Sequence, residues 1–310
     1  MGTTHFVMDI FNNHATGLDW HFTRLRDCTR YGDARRHVED LWSRFKPYAD
    51  PRFPQEMARQ FLNRYWEMYL GCTLLGLNFT LPKKRSSDGP DIDASRNDIR
   101  VLLEATSVSR GTADDAVPFP PVWKPQQKPV AQDIDFKPIV LRITGAVRTK
   151  HCQYTDHVKQ NRSLSGIPFV IAIHTGQMIE AHSNTVTPLS VQACLGIGNF
   201  GVRVDSRSDA ERIPVPRNEI NRKSPNEQDK TVTVRTDIFR ESSHEDISGL
   251  LLCDVNPFSI PSEAGGFEFL HNPHARYPLP HGWFGTGTEY WVEENSLKYQ
   301  THDAAEQRAQ

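Results

Sequence analysis

Two continuously apolar runs, Val101-Leu102-Leu103 and Phe169-Val170-Ile171-Ala172-Ile173, constrain this chain more than any other feature. Short runs without polar alternation read as buried strands. Helical patterns surround them. Apolar spacing predicts helices over 17–31, 35–45 and 54–75, the last with proline in its first turn. Leu77, Phe79 and Leu81 alternate with Asn78 and Thr80, which predicts a strand over 77–81. The Gly89-Pro90-Asp91 turn leads into another strand, and 99–108 reads as a third. A helix opening at Pro138 runs to about 158, and 168–173 supplies a further strand. That order predicts an α/β fold with a central mixed β-sheet flanked by helices.

The flanks are less regular. Proline-rich 112–137 reads as a long loop or lid, 188–195 as a short helix, and charged 206–230 as a mobile excursion. Residues 232–234 and 249–253 are expected to add strands to the sheet, and the chain after Gln300 to fray. The expected organisation is an N-terminal helical region (1–53) packed on a core (54–180). Residues 181–300 complete the same domain, and 301–310 form a tail. No internal repeat is visible.

With a formal net charge of −2, no global basic field announces a nucleic-acid partner. Lys83-Lys84-Arg85 and the group Arg142, Arg148, Lys150, Lys159 and Arg162 read first as solvated faces. The balance disfavours non-specific tight binding to polyanions. Five scattered cysteines without a CxxC pair argue against a disulfide framework and a cysteine-rich zinc module. No apolar run reaches membrane-span length, and the first residues do not begin like a secretory signal, so the expectation is a cytoplasmic protein with no membrane partner. Gly196-Ile197-Gly198-Asn199-Phe200-Gly201 matches a dinucleotide fingerprint only in spelling, since no convincing strand precedes it and no helix follows.

Chemistry concentrates elsewhere. Glu104 ends the run Val101-Leu102-Leu103, and an ionised carboxylate there is costly unless a positive group meets it. Asp91, in Ser87-Asp88-Gly89-Pro90-Asp91, has an ordinary use as a turn-capping residue. Yet two carboxylates delivered by adjacent strands are a natural way to hold a hard divalent cation. Asp93 shares the strand face and stands in reserve. Glu67 lies just outside the main stripe of an apolar helix, where such a residue commonly reaches solvent or pairs with an arginine. Lys150 falls on the core-facing stripe of Ile143, Val147 and Tyr154. Alone it would snorkel. Beside buried carboxylates its ammonium becomes the partner they need.

Trp66-Glu67-Met68-Tyr69-Leu70, then Gly89-Pro90-Asp91, then Leu103-Glu104-Ala105-Thr106, then a helix with Lys150 and Gln153, resembles the PD-(D/E)XK nuclease superfamily. The resemblance spans roughly 54–173. It implies a restriction-endonuclease-like core in which Glu67 matches the helical acid, Asp91 the motif aspartate and Glu104 the second acid. The motif lysine is absent, its place taken by Thr106, and Lys150 is its relocated substitute. Gln153 fills the place of a helix glutamine found in some branches. The implied activity is a nuclease acting on DNA. Mg²⁺, or Mn²⁺, would be held by Asp91, Glu104 and the carbonyl of Ala105, with water activated by Lys150.

Two other readings compete. With Thr106 in the lysine position, the fold could be an inactive scaffold that binds nucleic acid or a protein partner. Alternatively His271, His274 and His281 could ligate zinc in a different hydrolase, although no HExxH helix accompanies them and the intervening prolines argue for an extended loop.

Overall fold

The computed structural model describes residues 10–12, 16–83, 89–112, 116–119, 134–178, 181, 187–203, 211–223, 230–259 and 266–303. Helix α1 (Trp20–Asp27) opens on Asp19, whose carboxylate accepts the His21 N–H at 2.7 Å. α2 (Gly32–Phe45) follows. The helix expected over 54–75 is two helices, α3 (Phe53–Met57) and α4 (Phe61–Gly76). The break has a tertiary cause: the Ala58 carbonyl, which a continuous helix would use internally, accepts the Asp19 N–H at 2.9 Å. The strand expected over 77–81 reduces to a single bridge, Thr80 to Ser95. Asn78 takes a positive φ of 63°, and the Phe79 N–H returns to the Leu74 carbonyl at the end of α4.

Strand β1 (Ile92–Arg96) turns through Asn97 and Asp98, both at positive φ, into β2 (Ile99–Ser107). α5 (Lys137–Gln160) crosses to β3 (Phe169–His174), and α6 (Leu189–Cys194) follows. β4 (Ile197–Arg203) pairs with β5 (Glu211–Pro216), and β6 (Glu219–Lys223) with β7 (Thr231–Arg235), as two separate ribbons. The segment expected to be a charged excursion therefore contains strands. The strand expected over 232–234 exists, but it joins its own ribbon instead of the main sheet. β8 (Gly249–Cys253), β9 (Glu268–His271), β10 (Gly287–Glu293) and β11 (Ser296–His302) are the remaining strands among the described residues. Residues 301–302, expected to fray, end β11. Most of the loop expected over 112–137, much of the linker regions within 206–230, Lys84 and Arg85, and 304–310 lie outside the described residues.

The protein is mixed α/β. Its seven-stranded sheet runs β1-β2-β3-β8-β9-β10-β11, with β2, β3 and β8 parallel and β1, β9 and β11 each antiparallel to a neighbour. Strand periodicity splits the core in two. Val101, Leu103, Val170 and Ala172 face α1–α4, while Leu102, Phe169, Ile171 and Ile173 face α5 and α6. Covering both faces explains the unbroken apolar runs. The Trp66 indole N–H ties α4 to the sheet through the Ala172 carbonyl at 2.9 Å. On the other side Tyr154 stacks on Phe169, ring centroids 3.8 Å apart. Among the described residues no helix is long and apolar enough to cross a membrane.

Candidate active site

Asp91 lies immediately before β1, after Gly89 at a φ of 92°. The β1–β2 ladder begins at the Ile92–Leu103 pair, and Asp91 extends it with its side chain: Oδ2 accepts the Ala105 N–H at 2.8 Å. Glu104 points to the face of β2 that Leu102 also occupies, toward α5, and is 3 % exposed. Lys150 arrives from α5. Its Nζ donates to Glu104 Oε2 at 2.9 Å and to Asp91 Oδ2 at 3.3 Å. The structure thus brings these three side chains together.

The electrostatics follow from burial. Desolvation, reinforced by the neighbouring charge of Asp91, pushes Glu104 up to about 8 even though Lys150 pulls the other way. For Lys150 the order reverses: burial disfavours the ammonium, but Asp91 and Glu104 together hold it more firmly protonated than an ordinary lysine. The remaining oxygen of Glu104, Oε1, is buried without a hydrogen bond, 3.5 Å from His157 Nδ1. A buried carboxylate oxygen left this way is costly, and it is the kind of donor a hard cation takes. The acids of this site therefore fit Mg²⁺ or Mn²⁺.

Glu67, only 2 % exposed, reaches the site from α4. It pairs with Arg64 one turn earlier, which also pairs with Glu56. Thus the ordinary use of Glu67, pairing with an arginine, and a place at the site are both realised. Arg64, Glu67, Asp91, Ala105, Lys150 and Gln153 are among the residues lining a cavity of about 490 Å³; Thr106, where the superfamily lysine would stand, lines it too. Glu104 is not part of that lining. Asp93 does not join the group. Two residues further along the chain moves it roughly 7 Å, where Arg100 takes it in a paired contact at 2.9 and 2.7 Å.

Sequence reasoning missed Arg64 and His157. Both carried a signal: Arg64 lies three residues before Glu67, and His157 continues the stripe of Ile143, Val147, Lys150 and Tyr154.

The histidines are only partly assembled. His271 ends β9, and His281 in the following connection lies with its ring centroid 4.6 Å from that of His271. His274 is exposed, and its backbone N–H caps onto Asn272 Oδ1 at 3.0 Å, so it is no part of the cluster. Its place is taken by Glu289 of β10, 3.0 Å from His271 Nε2.

Comparison of the chain with protein-family models, curated proteins and solved structures returned no match.

Proposed function

We propose that this protein is a metal-dependent phosphodiester hydrolase with a restriction-endonuclease-like core, acting on DNA. The observation that carries the reading is the convergence of Asp91, Glu104 and Lys150 from three separate segments, with Lys150 bonded to both acids. Asp91 and Glu104 would hold Mg²⁺ or Mn²⁺, with the Ala105 carbonyl beside them. The bound ion would neutralise phosphate charge and supply a nucleophilic water near neutral pH. Lys150, kept protonated by the acids, acts through its charge: it orients the water and stabilises the negative charge that develops on phosphorus-bound oxygens. Glu67 and Arg64 form the α4 wall, and Arg64, Arg142 and Arg222 give the cleft cationic groups suited to a phosphate-bearing substrate.

The competing reading, an inactive scaffold, draws support from Lys150 pairing with one oxygen of each acid as an internal ion pair. Cleavage assays on linear, circular and single-stranded DNA, and on RNA, with Mg²⁺ or Mn²⁺ separate the two. The expected result is metal-dependent DNA cleavage by the wild type, abolished in Asp91→Ala and Lys150→Ala variants that remain folded. Binding of DNA without cleavage under all conditions would favour the scaffold, and preferential RNA cleavage would reassign the substrate.

A further inference from the structure

The second cluster lies at the other end of the sheet and shares no residue with the Asp91–Lys150 cleft. His271 on β9 and Glu289 on β10 are buried, and exposed His281 lies in the connection between the two strands. One ligand atom from each of these three residues lies within 4.8 Å of the others. From them we infer a separate binding site for a zinc-type divalent cation, with His271, His281 and Glu289 as ligands and a fourth position toward solvent.

Donor chemistry and geometry both argue for it. Two imidazoles and one carboxylate suit zinc and other late first-row ions; a hard cation such as Mg²⁺ prefers oxygen alone. Tetrahedral zinc with bonds of about 2.0–2.1 Å sets its ligand atoms roughly 3.3–3.4 Å apart. His271 Nε2 and Glu289 Oε2 are already 3.0 Å apart, so a small opening admits the ion between them. His281, exposed in the connection, already has its ring centroid 4.6 Å from that of His271, so a modest side-chain adjustment closes the remaining distance.

The surroundings resemble the outer shell that fixes metal ligands. Glu289 is also held in place from its other side. His302 Nε2 lies 2.9 Å from its Oε1, and the Gly282 N–H donates to both carboxylate oxygens at 2.8 and 2.9 Å. The ring of His281 packs edge-on against Trp291, centroids 4.4 Å apart. An ion here would tie the middle of the 272–286 connection to both strands it joins.

The test is calorimetric titration of the full chain with zinc chloride, run on wild type, His281→Ala and Asp91→Ala, with X-ray absorption at the zinc edge of the wild-type complex. The expected result is one zinc bound by wild type and by Asp91→Ala, a loss of at least tenfold in affinity for His281→Ala, and absorption showing two imidazole ligands. Absence of zinc binding would overturn the inference and leave Glu289 as the hub of a histidine ion-pair network. Undiminished binding by His281→Ala, or loss in Asp91→Ala instead, would overturn it equally by placing zinc elsewhere. Should His281→Ala fail to fold, the spectrum of the wild-type complex decides: no imidazole scattering refutes the site. Because Asp91→Ala removes the proposed catalytic centre, failure there and failure here are distinguishable.

Discussion

At the scale of single residues, the central fact is a lysine shared by two acids. Removing one partner of a buried ion pair leaves uncompensated charge, commonly worth about 3–5 kcal/mol. Lys150→Met should therefore destabilise the fold by an amount of that order above about pH 8, where Glu104 is ionised, measured by urea unfolding. The loss should shrink as pH falls below about 8 and Glu104 takes its proton. The wild-type pH dependence follows from the same group. Glu104 sits above its ordinary value of 4.5, near 8, so the folded state binds the extra proton over that interval. Its contribution is complete below about pH 4.5 and declines as pH rises through 8. Glu104→Gln, which cannot lose that proton, should gain stability relative to wild type between pH 5.5 and 8.5. A flat difference between the two proteins across that range would contradict the assignment. Asp91, Glu104 and Lys150 were legible in the sequence because each broke a local rule: an acid closing an apolar run, an acid after a Gly-Pro turn, a cation on a buried stripe. Glu289 broke none. It stands in Gly287-Thr288-Glu289-Tyr290, an unremarkable strand segment, and only tertiary packing sets it beside His271 and His302.

At the scale of elements, what could be read depended on whether local periodicity decided the outcome. α5, β2 and β3 carry strong patterns because they are covered on well-defined faces, and their boundaries came out close to expectation. The break between α3 and α4 did not, because it depends on Asp19, distant in sequence. β10 and β11 were missed for another reason: at the sheet's edge few of their residues are buried, so no alternation marks them. α4 also offers a sharp packing test. A Cβ added at Gly71 would lie 2.3 Å from Phe45 Cε2, inside a buried ring contact. Replacing a helical glycine by alanine ordinarily gains about 1 kcal/mol, whereas overpacking costs roughly 1–3 kcal/mol. A contact this close puts the balance on the cost side, so Gly71→Ala should lower the thermal midpoint. An unchanged or raised midpoint would mean that α2 and α4 separate more readily than their packing implies.

For the whole molecule, an ion that binds only the folded state raises stability by mass action, about 2.7 kcal/mol at a hundredfold excess over Kd. Mg²⁺ should thus raise the unfolding midpoint of wild type and leave Asp91→Ala unmoved, in thermal scans at fixed ionic strength. The fold class was legible because the order of buried strands and helices restricts the layers available; the β4–β5 ribbon and the sheet's last strands were not, being held by pairings too weakly buried to mark the sequence. The layered architecture has one more consequence. Glu67 belongs to a helix packed on one face of the sheet, Lys150 to a helix packed on the other, and each face has its own core. The cleft is thus a seam, and the distance across it gauges how the two layers are aligned. Substitutions deep in either layer, far from any acid or base, should detune the proposed reaction simply by letting one half slide past the other.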